Sequence, residues 1–115
     1  MKRLRKYYGC PVELALEFVG GKWKTVILAR LKEAPHRYHE LRALMPGVAD
    51  KVLTERLKDL EQLELIEKAP VGGSGSVWVY RLTQRGESLR PVLESLYAWG
   101  AAAGPELAVA FGPSG

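Results

Sequence analysis

The chain has almost none of the residues from which covalent cross-links, metal centres and acyl-transfer sites are built. It carries one cysteine and two histidines in 115 residues. A single cysteine excludes an intramolecular disulfide framework and suits a reducing compartment. No Ser/His/Asp or Cys/His arrangement is legible, so no enzyme activity is expected. His36 and His39 lie close in sequence. However, Pro35 and a helix start break their shared geometry, and no cysteine or carboxylate pattern completes a metal site with them. Neither a metal nor a cofactor is expected. No apolar run approaches the roughly 20 residues of a membrane span, and nothing reads as a signal peptide. The expectation is a cytoplasmic protein with no membrane partner.

What is present is ordinary globular composition, 47% hydrophobic and 26% charged, at a length that suits one domain. The charge is uneven. Residues 1–60 hold 13 Lys/Arg against 7 Asp/Glu, and residues 61–115 hold 4 against 6. A basic half attracts phosphate backbones, but charge alone does not choose between nucleic acid and other acidic partners.

The order of the elements says more. A basic arm over residues 1–8 precedes Gly9-Cys10-Pro11, a helix start in which proline suits the first turn. Val12, Ala15, Leu16 and Val19 give one apolar face, and Gly20-Gly21 ends that helix. A second helix carries Trp23, Val26, Ile27, Ala29 or Arg30, and Leu31, and closes at Ala34-Pro35. A short third helix carries Tyr38, Leu41, Leu44 and Met45, followed by a Pro46-Gly47 turn. The fourth runs from about Asp50 to Leu63 on Leu53, Leu57, Leu60 and Leu63 or Glu64. The period then changes to two, predicting strands at 65–69 and 77–82 around a glycine-rich tip. Thr83 caps a last helix bearing Leu89, Val92, Leu93, Leu96 and Trp99. Pro91 either bends this helix or starts it anew. The fold class is mainly α with a small two-stranded β-wing, a winged helix-turn-helix. Residues 9–103 form the domain, and a flexible tail is expected over 104–115.

At this point the residues resemble a known family. Cys10-Pro11-Val12-Glu13 with Gly20-Gly21-Lys22-Trp23 is similar to the opening of HxlR-type bacterial transcription regulators. Arg37-Tyr38-His39-Glu40-Leu41, Pro46-Gly47-Val48 and Lys51-Val52-Leu53-Thr54-Glu55-Arg56-Leu57-Lys58-Asp59-Leu60 continue the match. So do Tyr80-Arg81-Leu82-Thr83-Gln84-Arg85-Gly86 and Leu89-Arg90-Pro91-Val92-Leu93. The resemblance implies a homodimer on double-stranded operator DNA, with the first and last helices forming the dimer contact.

In such motifs the second helix of the pair enters the major groove. Lys51, Thr54, Glu55 and Lys58 share one face of it: lysine donates to guanine, threonine meets a thymine methyl, and glutamate accepts from cytosine. Arg56 sits at the edge of that face and reaches either phosphate or a nearby acid. Arg37 is a phosphate candidate at the third helix's start. The alternative for the whole set is a solvated face with ordinary ion pairs. The family often caps this helix with serine, where this chain has Ala49, so Asp50 is expected to cap in its place. The wing tip lacks Lys and Arg, leaving Ser74 as its polar candidate or no contact at all. Its Gly-Gly-Ser-Gly string lacks the lysine and helix of a phosphate-binding loop.

Cys10 is either a thiol sensor, reached by an oxidant or small-molecule inducer, or a small buried helix-cap residue. Val12, Leu16 and Phe18 with Leu93, Leu96, Tyr97 and Trp99 are the candidate dimer seam; the alternative folds the last helix back over the hairpin. Two other classes stay open: a winged helix that binds protein and hardly touches DNA, and a small thiol enzyme using Cys10. Specific DNA binding excludes the first, and absence of turnover excludes the second.

Overall fold

Leucine at every third or fourth position between 53 and 63 dictates the centre of the fold, because that spacing gives a helix one wholly apolar edge. The structure is a computed structural model and describes residues 4–71 and 77–112. Its order is α1 (Pro11–Val19), α2 (Lys24–Glu33), α3 (Tyr38–Leu44), α4 (Asp50–Gln62), β1 (Ile66–Pro70), β2 (Trp78–Leu82), α5 (Gln84–Glu87) and α6 (Arg90–Glu106). Leu53, Leu57, Leu60 and Leu63 are all buried, against Ile27, Leu28 and Leu31 of α2, Leu41 and Met45 of the α3 region, and Leu65, Ile66 and Leu82 of the wing. Each such side chain contributes about 2 kcal/mol by leaving water.

The end of α4 sets the start of the wing. Leu63 is the C-cap, Glu64 takes a left-handed φ of 60°, and Leu65 N–H donates back to the Leu60 carbonyl at 3.0 Å. This is a Schellman turn, with Leu65 and Leu60 supplying its usual hydrophobic contact. Of the two sequence alternatives it selects Leu63 for the core and leaves Glu64 outside. β1 and β2 then pair antiparallel, with Ile66 opposite Leu82 and Pro70 opposite Trp78. His36 adds a single bridge to β2: its N–H donates to the Tyr80 carbonyl at 3.1 Å and its carbonyl accepts from Tyr80 N–H at 2.7 Å. Thr83 Oγ1 donates to the Glu64 carbonyl at 2.6 Å and accepts from Gly86 N–H, so the expected cap serves α5. Pro91 starts a new helix rather than bending an old one.

Three expectations are corrected. Asp50 does not cap α4; Ala49 holds the N-cap position, with no side-chain bond, and Asp50 is already helical. Trp23 is not inside α2 but at its N-cap with φ 78°, and Lys24 and Leu28 join the buried edge in its place. The domain does not close at 103, because α6 continues to Glu106. The chain then turns at Ala108, and Val109 N–H donates to the Gly104 carbonyl at 2.8 Å. The Phe111 ring lies against Gly104, where no side chain intervenes.

Leu57→Ala is expected to destabilise the domain by about 2–5 kcal/mol, read from urea unfolding. Glu64→Gly should act in the opposite sense and raise stability by about 1 kcal/mol, because glycine takes a left-handed φ without penalty.

Candidate nucleic-acid interface

Burial of one edge of α4 leaves the opposite edge no choice but solvent. Lys51, Thr54, Glu55 and Lys58 are all exposed, at the i, i+3, i+4 and i+7 spacing that places them side by side. Among the described residues neither lysine has an acid within ion-pair distance. Arg56 is not on this face. Its guanidinium pairs with Asp59 at 3.4 Å and Glu55 at 3.7 Å and lines a cleft with Leu16, Glu17, Gly20, Gly21 and Lys24. Acids are thus at hand for the second of the two roles open to it.

α3 meets the start of α4 through three side chains that the sequence reading did not single out together. Tyr38 Oη donates to Asp50 Oδ1 at 2.7 Å, and Arg42 Nε donates to the same oxygen at 2.6 Å. Arg42 also donates to the Met45 carbonyl at 3.3 Å. Tyr38 and Arg42 are one helical turn apart on α3, so one carboxylate receives both. These bonds hold the Asp50 carboxyl below its ordinary value of 3.8, the Tyr38 hydroxyl first and the Arg42 guanidinium next. Burial pushes the Tyr38 hydroxyl up, against a hydrogen bond from Thr54 that lowers it. The spacing Tyr38-x-x-x-Arg42 was the available signal, but nothing in the sequence shows which acid lies opposite.

Arg37 is exposed at the head of α3, and its backbone N–H donates to Glu40 Oε1 at 2.7 Å. That bond is the main reason the Glu40 carboxyl titrates below its ordinary value, with the Arg37, His36 and His39 charges adding to it. Ser74 lies outside the described residues. His36 is committed to the wing through its backbone, with Nδ1 3.8 Å from Glu40 Oε1.

α1 buries none of its residues. It is tied down through its C-terminal end: Lys24 Nζ donates to the Glu17 carbonyl at 3.2 Å, and Thr25 Oγ1 donates to the Val19 carbonyl. Val12 and Leu16 are exposed, as are Leu96, Tyr97 and Trp99 on α6, the last two 75% and 73% exposed. Leu93 is corrected: at 2% exposure it belongs to the protomer's own core and is not free for a seam. Phe18 is half-buried against that same core. Cys10, the N-cap of α1, is an exposed free thiol whose side chain makes no cap bond, so the buried-cap reading is also corrected. Arg5 folds over the Tyr8 ring at 4.4 Å and reaches Glu13 at 3.3 Å.

A helix-turn-helix followed by a β-hairpin, with an exposed polar face on its second helix, defines a winged-helix DNA-binding protein. The HxlR-like helix-turn-helix family profile matches residues 18–107, a span that begins after Cys10. The chain is 40% identical over 97 residues to the HTH-type transcriptional regulator YtcD of Bacillus subtilis, covering 84% of this chain and 77% of that one. It is 34% identical over 91 residues to YodB of the same organism, covering 78% and 81%. Among solved structures, the redox regulator HypR in its oxidized form superposes with a TM-score of 0.74 at 29% identity, covering 81% of this chain and 96% of that one. The chain belongs to the HxlR-like helix-turn-helix family and is a transcription regulator. Among the described residues, no helix is long and apolar enough to cross a membrane.

The Asp50 bonds need an ionised carboxylate, so their contribution is full above about pH 4 and is lost as pH falls through the lowered folded value. Asp50→Asn is expected to flatten the acid limb of the stability profile below pH 4, measured by thermal melts across pH.

Proposed function

We propose that the protein is a cytoplasmic homodimer that occupies operator DNA by placing α4 of each protomer in successive major grooves, about 34 Å apart when the half-sites are one turn apart. The observation that carries this reading is the exposed Lys51–Thr54–Glu55–Lys58 face, backed by a buried leucine edge that sets which side of α4 faces outward. Lysines 51 and 58 meet guanine or phosphate, Thr54 and Glu55 read neighbouring base edges, and Arg37 grips backbone beside α3.

The seam is formed by Val12 and Leu16 of α1 and by Leu96, Tyr97 and Trp99 of α6, flanked by Phe18. Exposed large apolar residues on both the first and the last helix are unusual for a protein that works alone. Cys10 stands at the head of α1, so oxidation of its thiol or its reaction with an electrophilic inducer acts at the seam and alters the angle between the two α4 helices. In support, one solved relative is named a redox regulator, and another, YodB, was solved with a quinone bound.

Lys51→Ala and Lys58→Ala are each expected to weaken binding to the DNA upstream of the gene and to reduce the slope of log K against log salt by about one. Unchanged slopes for both remove them from the interface. Diamide treatment should shift operator affinity of the wild-type protein and leave Cys10→Ser unaffected; an equal response in both makes the cysteine structural.

A further inference from the structure

The carboxylate of Asp50 stands at the first turn of the helix proposed to read DNA, where a negative charge opposes an approaching phosphate. It is largely exposed, at 73% of its side chain. A carboxylate there is unfavourable for binding unless it does something else. What it does geometrically is accept two hydrogen bonds on one oxygen from α3, at 2.7 Å from Tyr38 Oη and 2.6 Å from Arg42 Nε. Arg42 at the same time donates to the Met45 carbonyl, the C-cap of α3. The guanidinium therefore bridges the last turn of α3 and the first turn of α4, across the turn that joins them.

We infer that Asp50 is a positioning residue for sequence reading: with Tyr38 and Arg42 it fixes the rotation of α4 against α3, and so decides which bases Lys51, Thr54, Glu55 and Lys58 meet. The inference rests on the proposed DNA-reading role of α4. The leucine edge of α4 holds its axis, but a smooth apolar edge tolerates small rotations about that axis. A charge-assisted bond at one end removes that freedom, because it is directional and short. Tyr38 is already packed against the core, and Arg42 is about two-thirds covered, so little side-chain freedom remains to be lost when they close on Asp50.

This role has a signature that neither a folding defect nor simple repulsion shares. Affinities of wild type, Asp50→Ala, Asp50→Asn and Tyr38→Phe are measured for the operator and for a scrambled duplex of equal length, at two salt concentrations. Asp50→Ala is expected to bind the operator roughly tenfold more weakly while binding the scrambled duplex as well as wild type or better, a collapse of discrimination of the size of one misread base pair. Asp50→Asn, which still accepts both hydrogen bonds, should recover part of the discrimination, and Tyr38→Phe should lose part of it. Stronger binding to both duplexes makes Asp50 a repulsive charge only and overturns the proposal, as does an equal loss on both. A wild-type protein that does not distinguish the two duplexes fails the DNA-reading proposal itself, and the positioning role falls with it.

Discussion

The structure depends on the burial of a single leucine edge. Leu53, Leu57, Leu60 and Leu63 of α4 share one core with α2 before them, the α3 region beside them and the wing that follows. Four such side chains contribute several kcal/mol, on the order of 2 each, whereas an exposed ion pair such as Arg56–Asp59 contributes about 0.5. The orientation of α4 is therefore decided by its apolar side, and its polar face is presented as a consequence. The face proposed to read DNA and the edge that stabilises the fold lie on opposite sides of one helix.

Around that helix, charge is sorted by local partners rather than by overall balance. Arg42, Arg56, Arg81 and Arg90 each have an acid at hand, at 2.6 to 3.4 Å. Lys51 and Lys58 do not, among the described residues. The excess of positive charge in the first half thus becomes available at the two places on α4 where a phosphate or guanine would be met. Of the acids there, Glu55 lies on the face with Arg56 at 3.7 Å, and Asp50 is occupied by α3.

The apolar side of α1 and the outer side of α6 stand in contrast to this self-sufficient core. α1 is fastened by polar bonds to carbonyls at its end, Lys24 to Glu17 and Thr25 to Val19, and its Val12, Leu14 and Leu16 are exposed while Phe18 packs against the core. A helix held in that way is stable in place yet unfinished as a surface. The single thiol at its head is exposed on the same element. In the proposed homodimer, α1 and α6 are the route by which a signal at Cys10 would reach the face proposed to read DNA.

Much of the architecture was legible because it rests on periodicity and punctuation. The leucine spacing of α4, the Gly20-Gly21 and Pro46-Gly47 breaks, the Thr83 cap and the change to period two at the wing are local facts, and local facts survive folding. The exposed set Lys51, Thr54, Glu55 and Lys58 follows from the same spacing. What the sequence alone left undecided is whatever depends on a partner distant in the chain. Leu93 went to the core, His36 bridged to Tyr80 of the wing, and Gly104 received Phe111. Asp50 shows the reason most plainly. Its type and position suggest a cap, but the acceptor it offers is taken by two donors on another helix, and only the packing of α3 against α4 brings them within 3 Å.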